Sequence, residues 1–359
     1  MKFQRSWIII GILSIIAVLI HLFSANSFRV EHYYSTGLYP YISFSLRFLL
    51  GWLPFSFGDV MYGLLVLWLL VRLVQFIRLL ITRQPLPDKV VPFLKRTLVS
   101  FLSIYIIFNV FWGINYNRKG IASQLGLTVE KYTPADLKLL NSLLLQKANA
   151  AKAMLLRQAI TPANSIRLFA QSGEAYQQLS QQFTFIDYHP ASVKISLWGW
   201  LGNYVGFLGY YNPFTGEGQV NTTIPKFLHP YTSCHEIAHQ LGYAKENEAN
   251  FVGYLAAAAS RDPRFHYSVY LDLFLYANRN LYETDSTIAN SFITQLLPEV
   301  KDDLVEWRKF NARHKNPVEP MVRWIYGKYL ESNQQPSGVM SYDEVTGLLV
   351  AYHKKFGRI

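Results

Sequence analysis

The sequence contains little cysteine and little charge. Cys234 is the single cysteine in 359 residues, which excludes a framework of disulfide bonds within the chain. Charged residues make up only 16% of the chain and hydrophobic residues 51%, a balance that is unusual for a soluble enzyme. The chain also contains no internal repeat and no low-complexity segment, so repeat architectures are excluded.

Basic residues outnumber acidic ones, which gives the chain a formal net charge of +11. In a soluble protein such an excess indicates a nucleic acid or an anionic surface as partner. Here much of the basic charge flanks apolar segments, and we find no motif that combines basic and aromatic residues for nucleic-acid binding. We therefore expect the lipid bilayer, and no nucleic acid, as a partner of this chain.

Three apolar segments lie in the first third of the chain, and each is close to the roughly 20 residues needed to cross a bilayer. They cover about residues 7–23, 60–80 and 97–116. The first resembles a signal peptide, but two further segments follow it, which favours an uncleaved anchor. The sequence therefore predicts an α-helical membrane region of three spans over residues 1–116. These spans carry no acidic residue for an ion path, which disfavours a transporter.

The distribution of basic residues predicts how these spans are oriented. The connection between the first and second spans carries only Arg29 and Arg47. Five basic residues lie in the connection between the second and third spans: Arg78, Arg83, Lys89, Lys95 and Arg96. The positive-inside rule then places the N-terminus and this basic connection in the cytoplasm. Everything after about Asn117 is expected on the extracytoplasmic side.

The aromatic segment 39–57 bears on this topology. Pro40, Arg47 and Pro54 interrupt it, so we interpret it as an interfacial or re-entrant segment and not as a fourth span. If it crossed the membrane, the remainder of the chain would lie in the cytoplasm instead.

Residues 117–359 are expected to form a globular domain of the α+β class that is mostly helical. Segment 134–158 has leucine, alanine and lysine at helical spacing, with Thr133 as its N-cap. Segment 193–208 mixes β-forming residues with tryptophan and glycine, which indicates strands with tight bends. Segment 219–224 alternates as an edge strand does, and an extended peptide could pair with it.

The most informative motif is His-Glu-x-x-His, at His235, Glu236 and His239. Residues four apart lie on one face of a helix, so the two histidines can bind one metal ion. Pro230 before the motif and Gly242 after it indicate the start and the end of a short helix. Glu236 can then reach a water molecule on the metal, an arrangement typical of zinc-dependent peptide hydrolysis.

A catalytic zinc site needs a third protein ligand. Glu246 and Glu248 are the candidates, in a second predicted helix over residues 246–259. Glu246 shares a face of that helix with small residues such as Gly253, which permit another helix to approach closely. Glu248 shares its face with apolar residues typical of a core, so the pattern favours Glu246 without excluding Glu248. Asn250, one turn after Glu246, is in position to hydrogen-bond a metal ligand, and the alternative is an ordinary polar residue of the helix.

The expected chemistry follows from these residues. Zinc lowers the pKa of a bound water molecule toward about 7. Glu236 is expected to accept the water proton and to return it to the leaving amine. A hydrogen-bond donor for the developing oxyanion is also expected. The sequence offers five candidate donors without ranking them: Tyr243, Tyr254, His266, Tyr267 and Arg279.

The motif and the helix after it resemble the zincin superfamily of metallopeptidases. The segment Glu246-Asn-Glu-Ala-Asn250 is similar to the Glu-x-x-Ala-Asp or Glu-x-x-Ala-Asn signature of glutamate-zincins, whose first glutamate binds zinc. The resemblance implies a zincin-like metallopeptidase domain in which His235, His239 and Glu246 hold Zn²⁺. Asn250 stands where aspartate is more common in that signature.

The whole chain also resembles a family of uncharacterised bacterial membrane proteins. The three spans carry this likeness, together with the segments 111–116, 211–216 and 234–240. It implies a multi-pass protein of the bacterial cytoplasmic membrane and no particular substrate. We expect a membrane-anchored zinc peptidase that acts on a peptide or protein. The alternative is a non-catalytic envelope protein for binding or assembly that retains a metal-site fold.

Overall fold

The computed structural model describes the backbone of residues 2–81, 87–342 and 344–359. Side chains are described for the same residues except 2–5, 79–81, 87–93, 341 and 342. Arg83, one of the basic residues used above for orientation, lies outside the described residues, as does the side chain of Lys89. The described chain is mostly helical and contains one small sheet, which confirms the coarse fold class.

The N-terminal third consists of helices joined by short connections. Their bounds are α1 (Lys2–Ser24), α2 (Ser27–Arg29), a π-helical segment (Val30–Leu38), α3 (Tyr39–Leu50), α4 (Phe57–Ile81) and α5 (Pro87–Phe111). A 3₁₀ helix, Gly113–Asn117, leads from α5 into the rest of the chain.

Eleven described α-helices and one three-stranded sheet follow residue 117. The helices are α6 (Gly120–Gln124), α7 (Pro134–Arg157), α8 (Ser165–Ser180), α9 (Gly199–Val205), α10 (His229–Gln240), α11 (Glu246–Ala259), α12 (Pro263–Thr284), α13 (Ser286–Thr294), α14 (Pro298–His314), α15 (Glu319–Ser332) and α16 (Val345–Phe356). The strands are β1 (Val193–Ile195), β2 (Gly209–Asn212) and β3 (Glu217–Val220), and 3₁₀ helices cover Lys226–Leu228 and Gly338–Tyr342.

Three described helices are long and apolar enough to cross a membrane: Ser6–Ser24, Phe57–Arg78 and Leu94–Phe111. The first two agree with the predicted spans. The third ends at Phe111 and not at residue 116, because the chain leaves the helix at Trp112, whose φ is −162°. The Trp112 indole donates a hydrogen bond of 3.1 Å to the carbonyl of His239. The aromatic end of this segment therefore packs against α10.

The start of α4 is fixed to the sheet by two carboxylates. The helix begins two residues before Asp59, which the sequence-based prediction had placed outside the span. Asp59 accepts hydrogen bonds from the backbone N–H of Leu197, at 2.7 Å, and from the Tyr210 hydroxyl. Glu217 of β3 accepts from the backbone N–H of Gly58 at 2.6 Å. A carboxylate at a helix N-terminus is stabilised by the unpaired N–H groups there.

The segment 39–57 contains α3, which has 12 residues and is too short to span a bilayer. Pro40 lies in its first turn, where a missing N–H costs no helix hydrogen bond. Tyr39 and Ser43 lie on its buried face, and their hydroxyls donate to the carbonyl of Gln240 at 2.9 and 2.6 Å. The segment thus packs a polar face on the last turn of α10.

Local signals in the rest of the chain are confirmed at the two helices predicted most clearly. Helix α7 begins after Thr133, whose side chain accepts from the backbone N–H of Asp136 in a capping box. Helix α11 has the predicted bounds, Glu246–Ala259. The buried core lies mainly among the helices that follow residue 120, with α7 and α12 packed along each other.

The prediction of an edge strand at residues 219–224 is wrong. The strand order is β1-β3-β2, so β3 lies between a parallel partner and an antiparallel one. β3 also ends at Val220, and its four residues are buried. Alternation within one segment does not reveal how many partners a strand has, because the partners come from elsewhere in the chain. β1 and β2 are the two edge strands, and β2 is the one whose residues line the cavity described below.

Helices α10 and α11 approach each other closely at Gly253. A Cβ added to this glycine would lie 3.0 Å from the backbone nitrogen of His235. The contacting atoms belong to the backbone of α10, so no side chain can rotate away to make room. The small-residue face predicted for Glu246 is therefore the face that packs on α10.

Substitution Gly253→Ala is expected to lower the free energy of unfolding by about 1–3 kcal/mol, the usual range for overpacking. It should also weaken metal binding, because Glu246 lies on the displaced helix. Gly173→Ala is a matched control within α8, where the nearest atom would lie 3.9 Å away. Helix propensity should make that control neutral or up to about 1 kcal/mol stabilising. Thermal unfolding and metal titration measure both; unchanged metal binding in Gly253→Ala would contradict the packing described here.

Candidate metal centre

Helix α10 presents His235 and His239 one turn apart, and both side chains are largely buried. The helix ends at Gln240, and Gly242 follows with φ +84°, a left-handed conformation that glycine adopts without strain. The sequence-based prediction of this helix end is confirmed. The last carbonyls of a helix lack partners within it. Here Tyr39 and Trp112, from the N-terminal third, supply hydrogen bonds to them.

His235, His239 and Glu246 bring three ligand atoms within 4.8 Å of one another. Oε2 of Glu246 lies 3.2 Å from Nε2 of His235 and 3.6 Å from Nε2 of His239. This buried oxygen accepts no hydrogen bond of normal geometry from the described residues. Three ligand atoms that converge in this way fit a metal ion placed between them. The cluster could therefore hold one.

The other ring nitrogen of each histidine is already engaged. Nδ1 of His239 lies 2.8 Å from the backbone carbonyl of Tyr243, which can only accept, so Nδ1 carries the proton. Nδ1 of His235 lies 2.7 Å from Oδ1 of Asn250. Both contacts leave the Nε2 lone pairs directed at the cluster, which is how metal-binding histidines are usually oriented. Asn250 thus takes the position predicted for it.

Glu246 and Glu248 lie in different surroundings, although they are two residues apart. The second carboxylate oxygen of Glu246, Oε1, accepts a hydrogen bond of 2.8 Å from the hydroxyl of Tyr326 on α15. The carboxylate of Glu248 instead lies against Gly120, where an added Cβ would come within 1.9 Å of Oε1. The structure brings Glu246, and not Glu248, to the two histidines.

Glu236 occupies the space between α10 and the sheet. Its side chain is 3% exposed, and Oε2 has no hydrogen-bond partner among the described residues. A Cβ on Gly209 of β2 would lie 2.5 Å from Oε1 of Glu236, and one on Gly218 of β3 would lie 3.0 Å from its Cβ. Two glycines, one on each strand, therefore make room for this carboxylate beside the edge strand.

Burial dominates the proton affinity of Glu236. It raises the pKa of this carboxyl to about 7, although the neighbouring histidines act in the opposite direction. Burial also disfavours a charged His235, but the carboxylates of Glu246 and Glu236 together with the Asn250 contact outweigh burial and raise the pKa of His235 to about 9. The imidazoles likewise hold the pKa of Glu246 below its usual range, against the effect of its burial. Glu236 can thus exchange a proton near neutral pH.

A cavity of about 490 Å³ contains the three candidate ligands and Glu236 in its wall. Strand β2, the start of α4, the end of α5 and α15 supply the rest of the wall. None of the five candidate oxyanion donors is among the side chains that line it. Tyr267, for example, donates to Asp303, and Tyr243 donates to Gln124 at 2.7 Å. Tyrosines that do line the cavity include Tyr210, Tyr231 and Tyr326.

Two residues at the site were missed by reasoning from the sequence. Trp112 contacts His239 through its ring as well as its hydrogen bond, with ring centroids 5.9 Å apart. It lies within the third predicted span, residues 97–116, so the sequence indicates a membrane segment there and not a contact with the site. Tyr326 lies 80 residues beyond Glu246 in the chain, and no motif marks it. Only the packing of α15 against the site reveals it.

Substitution Asn250→Ala is expected to lower the affinity for a divalent metal by about 10- to 100-fold, as loss of a partner that orients a histidine usually does. The nearby Asn247→Ala is the matched control, because Asn247 bonds Glu344 and the backbone of Glu248 and not a ligand. Titration with zinc against a competing chelator measures both variants. Equal affinities would show that Asn250 does not orient His235.

Comparisons with known proteins give a family and no function. No curated protein matches the chain, and no solved structure matches it. One family model matches residues 34–350, which covers most of the chain and includes α10 and α11. The family is described as a protein of unknown function, so the match assigns neither a metal nor a reaction. The chain belongs to this family, Protein of unknown function (DUF3810).

Proposed function

We propose that this protein is a membrane-anchored zinc peptidase in which Glu236 is the general base. The observation that carries the proposal is the buried carboxylate of Glu236, whose Oε2 has no hydrogen-bond partner among the described residues, in the cavity that also contains the three candidate ligands. A site that only bound a metal would have no use for a base there. The apolar helices α1, α4 and α5 support the membrane anchor.

Zinc is the metal that the donor set favours. Two imidazoles and one carboxylate leave a fourth position open, which is the usual composition of a catalytic zinc site. Bound there, zinc supplies a Lewis acid that polarises a carbonyl and makes a water molecule more acidic. The hydrogen bonds from Nδ1 of His235 and His239 fit this role, because they direct both Nε2 lone pairs at the ion.

Proton transfer is assigned to Glu236, and binding of the peptide is assigned to strand β2. Glu236 takes a proton from water and delivers it to the leaving amine, since its pKa near 7 suits both transfers. Strand β2 borders the cavity and is paired with β3 on one side. An extended peptide added to its other side would pass Gly209, which adjoins the Glu236 carboxylate.

The distribution of positive charge supports a location of the site outside the cytoplasm, in the cytoplasmic membrane of a bacterium. The last residues of α1 and α5 and the first residues of α4 lie on the same side of the membrane region. This is the side whose segments contact α10 and the sheet. The folded remainder then lies on the side opposite to the basic connection between α4 and α5.

The proposal is tested with the full-length protein in detergent and a random peptide mixture analysed by mass spectrometry. Cleavage is expected with zinc, is lost after treatment with a chelator, and returns when zinc is restored. Removal of zinc should also lower the melting temperature, because a metal that binds only the folded state stabilises it. Bound zinc without cleavage of any free or membrane-anchored peptide would favour the non-catalytic binding protein.

A further inference from the structure

An exposed apolar surface lies outside the three apolar helices. On α9 it consists of Trp200, Leu201 and Tyr204, which are 55%, 42% and 43% exposed. On α15 it consists of Met321, Trp324 and Ile325, which are 58%, 65% and 53% exposed. We call these six residues the α9–α15 surface. A contiguous apolar surface that includes two exposed tryptophans indicates a binding face.

The two halves of this surface are joined to each other. The side chain of Asn316, just before α15, donates a hydrogen bond of 2.6 Å to the carbonyl of Tyr204 on α9. The rings of Phe207 and Tyr326 meet edge to face, with centroids 5.4 Å apart. Tyr326 also holds Glu246 through its hydroxyl. The surface therefore has a fixed position relative to the metal centre.

The surface is continuous with the apolar helix α4. Trp198, one residue before α9, lies on Gly63 of α4, where an added Cβ would be 2.9 Å from the indole. The Trp198 indole N–H also donates to the carbonyl of Asp59 at 3.0 Å. Both contacts fall in the first two turns of α4. Helix α9 thus lies level with the end of a candidate span, the depth at which tryptophan and tyrosine concentrate in membrane proteins.

The cavity lies at the same level. Tyr62, in the second turn of α4, and Phe108, in the last turn of α5, both line it. Helices α1 and α5 pack together, whereas every described side chain of α4 from residue 64 to residue 78 is exposed. Among the described residues, α4 therefore stands apart from that pair. Tyr62 and Phe108 thus border the cavity at the ends of α4 and α5 that lie next to it.

We propose that the α9–α15 surface lies in the bilayer interface, so that the cavity takes the extramembrane stretch of a membrane-anchored polypeptide. Lipid is the occupant that fits, because the surface continues the apolar face of α4. The anchor of the substrate stays in the lipid beside α4. The adjoining stretch then reaches strand β2 and Glu236 without leaving the membrane surface. The substrate class rests on the proposed peptidase function; the position of the surface does not.

Fluorescent labelling tests the position of the surface. Cys234 is fully buried and leaves a newly introduced cysteine as the site for labelling of the folded protein. An environment-sensitive dye is attached to Ile325→Cys and, as a control, to Ile166→Cys on α8, where Ile166 is 80% exposed. Residue 166 is close in the chain to Leu168. Leu168 lines a second cavity together with His229, the first residue of α10. The control position is therefore near the start of α10, whereas the N-terminal third contacts the end of α10 at Gln240.

Both labelled proteins are reconstituted in vesicles of phosphatidylethanolamine and phosphatidylglycerol. The dye at position 325 should be quenched by brominated lipid and shielded from aqueous iodide, and the dye at position 166 should behave in the opposite way. Equal quenching at both positions would overturn the proposal. Shielding of position 325 from lipid and from iodide would also overturn it, because that result indicates a second copy of the chain on the surface.

The substrate class is tested in the same vesicles with a random 30-residue peptide library, free and with an N-terminal palmitoyl chain. Anchored peptides should be cleaved at least about ten times faster, since anchoring raises their effective concentration. Cleavage should begin within about ten residues of the lipid, an extended reach of about 33 Å. If cleavage began only beyond about twenty residues from the lipid, the site would lie away from the bilayer. That result would overturn this inference but not the proposed peptidase activity. Absence of any cleavage would reject the peptidase and its substrate class together, and the dye measurement would still decide the position of the surface.

Discussion

Replacement of Glu236 by glutamine should lower the rate of peptide cleavage by at least about 100-fold and leave the metal bound. General bases contribute about 10²- to 10⁴-fold to proton-transfer steps. Glutamine has nearly the same shape as glutamate, so it fits the narrow space beside Gly209. The amide accepts no proton near neutral pH, and no hydrogen bond of Oε2 is lost, because that oxygen has no partner among the described residues.

The matched control for this substitution is Glu248→Gln. Glu248 is also a buried glutamate, 7% exposed, and it lies on the helix that packs on α10. Its carboxylate faces Gly120 and not the cavity. Cleavage rate, zinc content and melting temperature are compared in both variants. A Glu236→Gln protein that still cleaves at the wild-type rate would remove Glu236 from the mechanism.

Substitution of the candidate ligands should remove the metal. His239→Ala and Glu246→Gln are each expected to lower zinc affinity by more than about 100-fold, because loss of an orienting partner alone costs about 10- to 100-fold. Tyr326→Phe removes only the hydrogen bond to Glu246 Oε1 and should fall between these variants and the wild type. The expected order of affinity is therefore wild type, Tyr326→Phe, and then the ligand variants.

Glu248→Gln is again the control variant, because it shows whether loss of any nearby carboxylate, or only loss of a ligand, weakens zinc binding. Glu248→Gln should bind zinc as the wild type does, since the Glu248 carboxylate lies against Gly120 and not at the two histidines. Zinc is titrated against a chelator, and the rise in melting temperature with zinc is measured in parallel. If zinc still raised the melting temperature of Glu246→Gln but not that of Glu248→Gln, Glu248 would be the metal ligand and Glu246 would not.

The sequence predicted those parts of the molecule that depend on near neighbours in the chain. The spacing of His235 and His239 places both on one face of any helix they share, and Gly242 ends that helix. Three apolar runs of sufficient length gave the candidate spans, and the bounds of α11 followed from its composition and its acidic first turn. The preference for Glu246 came from the small face around Gly253.

Only the tertiary structure determined which distant residues meet at the metal centre. Trp112 and Tyr326 reach the metal centre from positions more than 75 residues away in the chain, and neither has a local signal. Which strands lie at the edges of the sheet depended on which segments pair with β3. A periodic pattern shows which face of an element is buried, but not which element covers it. That choice arises from packing among distant segments, and it gives Glu236 its place beside β2.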